Sequence, residues 1–294
     1  MINLTKKFIS FIGRILRNVF SIRFPENIYK FLSFNGIFSV QINNQKINFN
    51  HFKDEISNHI FYSGIFGNYE GFSIKIWNQL CKKVSRSHVL DIGGFSGVYS
   101  LVAASANQNI TIHTFEPHPS TYSFLKKNIS INRFNNINSY NFALLDSDGI
   151  VNFYNSKGTN PPGFTSVKHD FIESGSETIS CKARDVVSFL NHELDDLQIS
   201  LIKIDIERAE LPLLRLMLKR ILKDNTTILC EILDEHLYPN FDDLFHDNGY
   251  QSILIDDLKN EAKIVKSLSD SKKIGRNVLF LPPTIDFSKI YSEI

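Results

Sequence analysis

The sequence predicts an α/β fold of the doubly wound type, and three observations support this. From residue 88 onward, apolar strand-like runs alternate with segments of helical periodicity. The first of these strands runs into a carboxylate and a glycine-rich turn, VLDIGGFSGVYS, at residues 89–100. At 294 residues the chain is long enough for one large domain and an appendage. Continuous apolar strands separated by helices indicate a mostly parallel sheet with helices on both faces.

The strands and helices follow one another in a regular order. HVLDIG precedes a helix predicted from about Gly97 to Ala106, ITIHTFE precedes one from about Ser120 to Ile131, and NSYNFALL closes the third unit. SLIKIDI precedes ELPLLRLMLKRIL, TTILCEI precedes FDDLFHDNGY, and YQSILID and NVLFLPP are the last strands. Residues 150–186, rich in Gly, Pro, Ser and Asn, interrupt this order. We favour a loop that covers the substrate over a plain connection there.

The first 24 residues predict an amphipathic helix. Arg14 and Arg17 lie on one side, and the other side carries Phe8, Ile9, Phe11, Ile12, Ile15, Leu16, Val19 and Phe20. The two arginines break the apolar run that a signal peptide or a spanning helix requires. The helix is expected to lie either on an anionic membrane surface or on the protein's own body. We therefore divide the chain into an N-terminal helix and linker region, residues 1–60, and a main domain, residues 61–294.

Charge and cysteine content narrow the functional class. Residues 1–50 contain seven basic groups and one acidic group, a net of +6, which leaves −5 for the rest of a chain whose net charge is +1. A uniformly basic face for nucleic acid is therefore not expected. The three cysteines, Cys81, Cys181 and Cys230, fit neither a disulfide framework nor zinc spacing, which indicates reduced thiols and a cytoplasmic protein.

The glycine-rich turn does not fit a dinucleotide. A G-x-G-x-x-G loop cradles a pyrophosphate, but aligning Gly94 and Gly97 with its last two glycines places Ile92 at the first. Asp91 would then repel the phosphates, which disfavours an NAD-dependent oxidoreductase. The spacing of Asp91, Gly93 and Gly97 is D-x-G-x-x-x-G instead, which resembles the first motif of class I S-adenosylmethionine-dependent methyltransferases. That cofactor carries no phosphate.

Two further segments fit the same cofactor. Glu116, in FEPHP, lies nineteen residues after Gly97, the distance at which an acid reaches ribose hydroxyls, and Pro117 follows it in the same loop. An ordinary acidic loop residue is the alternative for Glu116. Asn141 and Phe142, in NFALLD, are expected beside the adenine, with packing in the core as the alternative for Phe142.

The combination DIGGFSGVYS, FEPHPSTYSFLKKN, FALLDSDG, LIKIDIERAE and ILCEI resembles the FkbM family of methyltransferases over residues 60–260. The resemblance implies a seven-stranded Rossmann-like sheet and methyl transfer from S-adenosylmethionine to an oxygen, often a hydroxyl of a sugar or polyketide-type product. GNYE resembles the family's Tyr-Glu element, which implies that Glu70 lies over the methionine end of the cofactor. The chain departs from the family at Gly94-Phe95, commonly Ala-Asn, and at Arg208, commonly Gly.

Methyl transfer to a hydroxyl needs alignment and a base. Asp205 ends the fourth strand where the methyl group should emerge, and it is our first choice for the base; other candidates in the same region are Glu231 and His236. The alternatives for Asp205 are a helix N-cap or, together with neighbouring acids, a ligand of Mg²⁺. We expect S-adenosylmethionine as the cofactor and regard Mg²⁺ as the weaker alternative.

The expected function is O-methylation of a glycan, of the kind found in cell-surface polysaccharides, or of a small hydroxylated product. The alternative is a binding or scaffold protein on a methyltransferase fold, in which Phe95 and Arg208 mark weakened catalysis. We expect a glycan or small-molecule acceptor and no nucleic acid. Residues 1–24 would provide contact with the inner face of the membrane. The sequence does not indicate an oligomeric state.

Overall fold

The computed structural model describes residues 35–155 and 177–294, except 53, 68, 272 and 273, together with positions 12, 13, 15, 16, 29, 165 and 166. The amphipathic helix predicted over residues 1–24 lies almost wholly outside this part; helical backbone is described at 12, 13, 15 and 16. None of the helices in the described ranges is long and apolar enough to cross a membrane.

Fourteen strands and eight α-helices make up the described chain. The strands are β1 Asn35–Ile42, β2 Gln45–Phe52, β3 His88–Ile92, β4 Thr111–Phe115, β5 Ile137–Tyr140, β6 Ala143–Leu145, β7 Gly149–Asn155, β8 Thr165–Ser166, β9 Glu177–Asp185, β10 Ile199–Ile204, β11 Thr227–Glu231, β12 Gln251–Asp256, β13 Glu261–Val265 and β14 Asn277–Leu281. The helices are α1 Glu55–Ser63, α2 Gly71–Lys83, α3 Val98–Ala106, α4 Pro119–Asn132, α5 Val186–Glu193, α6 Glu210–Asp224, α7 Tyr238–Phe245 and α8 Phe287–Tyr291. Short 3₁₀ helices span Glu235–Leu237 and His246–Asn248.

The central sheet has eight strands in the order β13-β12-β14-β11-β10-β3-β4-β5. The five strands from β11 to β5 are parallel, and β14, β12 and β13 pair antiparallel with their neighbours. The predicted α/β, doubly wound, mostly parallel class is confirmed. The predicted count of seven is one short, because β13 is a short edge strand of mostly exposed residues, EAKIV, and lacks the apolar run that marks a buried strand.

The site lies where the strand order reverses direction. From β3 the chain first builds outward to β4 and β5, and after the insertion it returns to place β10 on the other side of β3. In a doubly wound sheet the crevice at the carboxyl ends of such strands is the usual ligand site. One apolar cluster that includes α2 and α3 packs on one face, and a second that includes α5, α6 and α7 packs on the other.

Residues 35–60, assigned from the sequence to the linker region, form the hairpin β1–β2 and most of helix α1. Asn43 and Asn44 both have positive φ, 51° and 61°, as a two-residue hairpin turn requires. Apolar side chains of the hairpin are buried in the cluster that contains α2 and α3, among them Phe38, Val40, Ile42, Ile47 and Phe49. The domain boundary at residue 60 stays a prediction.

The segment NSYNFALL forms two strands rather than one. β5 joins the central sheet, whereas β6 joins a second sheet of order β6-β9-β7-β8, and the chain breaks between them at Asn141 and Phe142. The break is stabilised by the Asn141 side chain, which donates hydrogen bonds to the carbonyls of Glu116 and Pro117. The inserted segment supplies β7, β8 and β9; residues 156–164 and 167–176, where a covering loop was predicted, lie outside the described residues.

A histidine pair, one buried and one half-buried, links β3 to β4. His88 Nδ1 lies 2.9 Å from His113 Nε2, and His113 Nδ1 lies 3.1 Å from the Tyr140 hydroxyl. Burial, with a smaller contribution from His88, lowers the pKa of His113 to about 4, and burial also lowers the pKa of His88. The pair is therefore neutral in the folded protein at neutral pH.

We predict that this pair makes the fold sensitive to acid. His113 titrates near pH 6.5 when unfolded, so the unfolded state binds more protons between that pH and about 4. The free energy of unfolding should fall over this range by up to about 3 kcal/mol from His113. Urea unfolding of wild type and His113→Phe at several pH values measures it. The stability advantage of the wild type should shrink as the pH falls, and an advantage independent of pH would contradict the assignment.

Candidate active site

A small pocket opens at the carboxyl ends of β3 and β10. Its lining includes Asp91 of β3, Gly93 and Phe95 of the turn that follows, Tyr99 of α3, Lys203 of β10 and Asp205 directly after that strand. The structure therefore brings the predicted cofactor turn and the predicted base to one pocket.

The two glycines of the motif are required by the protein's own packing. Gly93 and Gly97 both have φ of 87°, a conformation that L side chains rarely adopt. A Cβ atom on Gly93 would lie 1.9 Å from the Asp205 carbonyl oxygen, and one on Gly97 would lie 2.7 Å from Leu125 Cδ1. From the sequence, we expect glycine at both positions because the backbone must approach the cofactor closely. The structure adds a second reason, which is the positive φ and the close packing of the turn itself.

The departure at Gly94-Phe95 also has a local explanation. A Cβ atom on Gly94 would lie 2.1 Å from Thr114 Oγ1, so the common alanine does not fit beside this threonine without movement. Phe95 has φ of 45°, a left-handed conformation that Asn tolerates and a bulky residue adopts under strain. Its backbone N–H nevertheless donates a hydrogen bond of 3.1 Å to Glu116 Oε2.

Asp91 is a buried anchor beneath the turn. Its Oδ2 accepts hydrogen bonds from Ser100 Oγ and, at 3.4 Å, from Thr114 Oγ1. Burial raises the pKa of Asp91, and the hydrogen bond from Ser100 opposes this. The carboxylate thus ties β3 to the first turn of α3 and to β4.

Glu116 lies at the end of β4, and both of its carboxylate oxygens face backbone amides. Oε2 accepts from Phe95, and Oε1 accepts from His118 at 2.9 Å. Each oxygen keeps a second lone pair for a ribose hydroxyl. Burial raises the pKa of Glu116 to about 7, against the lowering effect of the two amides. The ribose contact stays a prediction.

Pro117 lies in the loop after β4, and Asn141 and Phe142 lie between β5 and β6. The Asn141 amide group holds this loop through the carbonyls of Glu116 and Pro117. The Phe142 ring is half-buried and packs within 6.0 Å, centroid to centroid, of three other rings, those of Phe115, Tyr140 and Phe189. This arrangement matches the core alternative for Phe142, and contact of either residue with adenine stays a prediction.

Glu70 precedes α2 and reaches the same pocket region from the other side. The Tyr99 hydroxyl donates to its Oε2 at 2.8 Å, and Asn277 Nδ2 donates to its Oε1 at 3.0 Å. Burial raises the pKa of Glu70, and nearby Lys203 lowers it. Its position over the methionine end of the cofactor stays a prediction.

Asp205 and Glu231 form a pair next to the turn. Asp205 donates its backbone N–H to the Ile92 carbonyl at 3.0 Å, and its side chain is 27% exposed. Glu231 is buried, and burial followed by the Asp205 charge raises its pKa to about 10, so it carries a proton that it shares in a hydrogen bond with Asp205. The N-cap alternative for Asp205 is wrong, because α6 begins at Glu210 with Ala209 as its N-cap.

Lys203 stands among these acids. Its side chain is 2% exposed, and its Nζ lies 3.6 Å from Asp205 Oδ2. Although burial lowers the pKa of Lys203, the acids Asp205, Glu70 and Glu231 raise it above its ordinary value overall. One oxygen each from Glu70, Asp205 and Glu231 lie within 4.8 Å of one another, a spacing at which a cation could be held. The Mg²⁺ alternative stays untested.

The remaining predicted residues lie at the rim. His236 is exposed on a 3₁₀ helix and does not line the pocket. Arg208 Nε donates to Asp234 Oδ2 at 2.9 Å, which links the loops after β10 and β11. Arg208 has φ of 78° and Glu207 has φ of 53°, so the glycine common at position 208 fits this backbone better than arginine.

The sequence reasoning missed Lys203, Tyr99 and Asn277. Lys203 could have been found, because residues two apart on a strand share a face and Asp205 was already a candidate. Tyr99 follows the glycine turn in VYS, but nothing local links it to Glu70. Asn277 contacts Glu70 across 207 positions of sequence, which only the tertiary fold reveals.

Comparisons with known proteins identify the family. Residues 91–252 match the Methyltransferase FkbM domain. "Methyltransferase 1" of Beauveria bassiana (strain ARSEF 2860) is 24% identical over 143 residues, and the match covers 44% of this chain and 57% of that protein. The chain thus spans little more than half the length of this curated relative.

Solved structures of similar fold include an FkbM methyltransferase from Methylobacillus flagellatus KT, at 13% identity and a TM-score of 0.43, covering 77% of this chain and 55% of that one. A SAM-dependent methyltransferase from Agrobacterium tumefaciens has 10% identity and a TM-score of 0.46, covering 89% and 73%. Because the domain match spans more than half of the sequence, this chain belongs to the FkbM methyltransferase family, as its motifs predicted.

Proposed function

We propose that this protein is an S-adenosylmethionine-dependent O-methyltransferase whose acceptor is a hydroxyl of a glycan or of a related small hydroxylated product. Family membership supports the reaction class. The observation that carries the proposal is the contact between the cofactor turn and the base: Asp205 is hydrogen-bonded to Ile92 and packed against Gly93. A partly exposed carboxylate thereby lies in the pocket that the turn also lines.

The pocket fits the chemistry of this cofactor. S-adenosylmethionine, when bound, supplies an electrophilic methyl group on a positively charged sulfur. Gly93, Gly97 and Glu116 would hold its nucleoside part, and Glu70 its methionine part. The nearby acids Glu70, Asp91 and Asp205 suit a ligand with a sulfonium and an ammonium group, and they would repel a pyrophosphate.

The acidic side chains of the site have different proposed roles in the transfer. Asp205 would accept the proton of the acceptor hydroxyl as that oxygen takes up the methyl group, which the bound cofactor would supply with loss of its own positive charge. Glu231 is protonated at neutral pH and keeps the Asp205 carboxylate oriented through their hydrogen bond. Glu231 is therefore a partner of the base at neutral pH rather than the base. His236 is kept as an alternative base.

The rim favours a neutral, hydroxyl-rich acceptor. Carboxyl groups of Asp205, Glu207, Glu231 and Asp234 gather at the ends of β10 and β11. Carboxyl groups hydrogen-bond hydroxyl groups whether or not they carry a proton, as Glu231 does here, and the charged ones repel phosphates and other anions. This supports a sugar-like acceptor over a phosphorylated one or a nucleic acid.

A scaffold role on the same fold is the second candidate. Phe95, which lines the pocket, and Glu207 and Arg208, in the loop after Asp205, all have left-handed backbone, which supports a site altered away from efficient catalysis. We propose peripheral membrane contact through residues 1–24 for either role. Methyl transfer decides between the two candidates.

We predict that Asp205→Asn separates binding from chemistry. Transfer of labelled methyl from S-adenosylmethionine to an extract of cells lacking the gene should fall by about a hundredfold or more, while cofactor affinity stays within a few fold. The exposed Asp243→Asn is the matched control and should transfer at the wild-type rate. Mass spectrometry of the extract identifies the methylated glycan or metabolite. A wild-type protein that binds cofactor and methylates nothing would favour the scaffold role.

We predict that Glu116 makes cofactor affinity dependent on pH. Ribose hydroxyls donate to a carboxylate, and Glu116 with a pKa of about 7 becomes protonated as the pH falls through that value. The dissociation constant for S-adenosylhomocysteine should therefore rise about tenfold between pH 8 and pH 6. Titration calorimetry of Glu116→Gln should show weaker binding without this dependence, whereas the exposed Glu261→Gln should behave as wild type. Equal pH dependence in both variants would remove Glu116 from the site.

A further inference from the structure

Three carboxyl groups from distant parts of the chain meet behind the pocket. We call Glu70, Asp205 and Glu231 the acidic cluster; they come from the turn before α2, the residue after β10 and the last residue of β11. One oxygen from each lies within 4.8 Å of the other two. A divalent cation with oxygen ligands at about 2.0–2.6 Å also brings its ligands within about 5 Å of one another. By spacing alone, the acidic cluster fits such an ion.

A lysine already supplies positive charge to this cluster. Lys203 is two residues before Asp205, at the end of β10, so both side chains project from the same face of the sheet. Its Nζ lies 3.6 Å from Asp205 Oδ2 and 5.0 Å from the centroid of the Tyr99 ring. Tyr99 in turn donates to Glu70, which places the ammonium group between two members of the cluster.

The Lys203 ammonium group contacts the Asp205 carboxylate and the Tyr99 ring, but neither contact is a hydrogen bond. Among the described residues, its Nζ is buried and donates no hydrogen bond of normal geometry. A buried ammonium group carries a large desolvation cost unless negative charge surrounds it. The acidic cluster, in which Glu231 shares a proton with Asp205, would likewise be costly to bury without a positive charge nearby.

We propose that Lys203 is the built-in cation of the acidic cluster: it takes the place of a divalent metal ion and is the positioning residue that holds the Asp205 carboxylate at the pocket. A metal ion at the cluster would lie against the ammonium group, and like charges at such distances repel strongly. The positioning role rests on the function proposed for Asp205. The exclusion of metal rests on the cluster alone and can be measured without an acceptor.

Binding of Mn²⁺, followed by electron paramagnetic resonance of the free ion, tests the proposal on the full-length protein. Wild type and Lys203→Arg should leave Mn²⁺ free at millimolar concentration, since both keep the positive charge. Lys203→Met removes the charge at similar volume, and its Mn²⁺ affinity should rise at least about tenfold, into the millimolar range or tighter. Adding Glu231→Gln to Lys203→Met should abolish this gain. The rescue by arginine distinguishes a charge from a merely structural side chain.

Two results would overturn the proposal. One is binding of Mn²⁺ by the wild type that is lost in Glu231→Gln. This test does not require any Lys203 variant to fold. The other is a folded Lys203→Met or Lys203→Gln that binds Mn²⁺ no better than wild type. Labelled-methyl transfer separates this from the proposed function: a wild type that binds Mn²⁺ and methylates the extract refutes only the role of Lys203. A wild type that leaves Mn²⁺ free and methylates nothing refutes only the function.

Discussion

The contact between Gly93 and the main chain of Asp205 is the constraint on which the site depends. β3 and β10 are parallel neighbours at the point where the strand order reverses, and the Asp205 N–H donates to the Ile92 carbonyl at 3.0 Å. No Cβ fits between the strands' ends, because it would lie 1.9 Å from the Asp205 carbonyl oxygen. This close approach places the turn proposed to hold the cofactor directly beside the acid proposed as the base.

Solvent exposure and hydrogen bonding distinguish the acids gathered around this contact. Asp91 is engaged by Ser100 and Thr114, Glu116 by two backbone amides, and Glu70 by Tyr99 and Asn277. Each of these carboxyl groups thus has a place in the scaffold of the site. Asp205 differs, since its side chain is 27% exposed, has Lys203 as a charge partner at 3.6 Å and shares a hydrogen bond with the protonated Glu231. A catalytic base must be accessible to the acceptor hydroxyl, and this exposure of Asp205 permits such access.

Patterns within short stretches of the sequence predicted the strands, helices and turns whose formation depends on neighbouring residues. The sequence predicted the apolar strands, the glycine turn and the acids at strand ends, because each is encoded by a few consecutive residues. The hairpin β1–β2 was not predicted, although Asn43-Asn44 between alternating residues is a hairpin signal. The edge strand β13 has no apolar run to find.

The site was predicted less completely, for a different physical reason. Asp205 and Gly93 were named separately, but their contact follows from strand order, which a single sequence does not encode locally. Glu70 was named from its motif, whereas its partner Asn277 is brought to it by the pairing of β14 with β11. The N-cap alternative for Asp205 failed because the chain needs five residues, two in left-handed conformation, to turn from β10 into α6.

A crystal structure of the protein with S-adenosylhomocysteine tests the central claim most directly. The account predicts that the ribose hydroxyls lie about 3 Å from the Glu116 carboxylate and that the sulfur lies over the turn at Gly93, on the side of Asp205. A ligand bound with its ribose away from Glu116, or with Asp205 turned away from the sulfur and covered by protein, would contradict it.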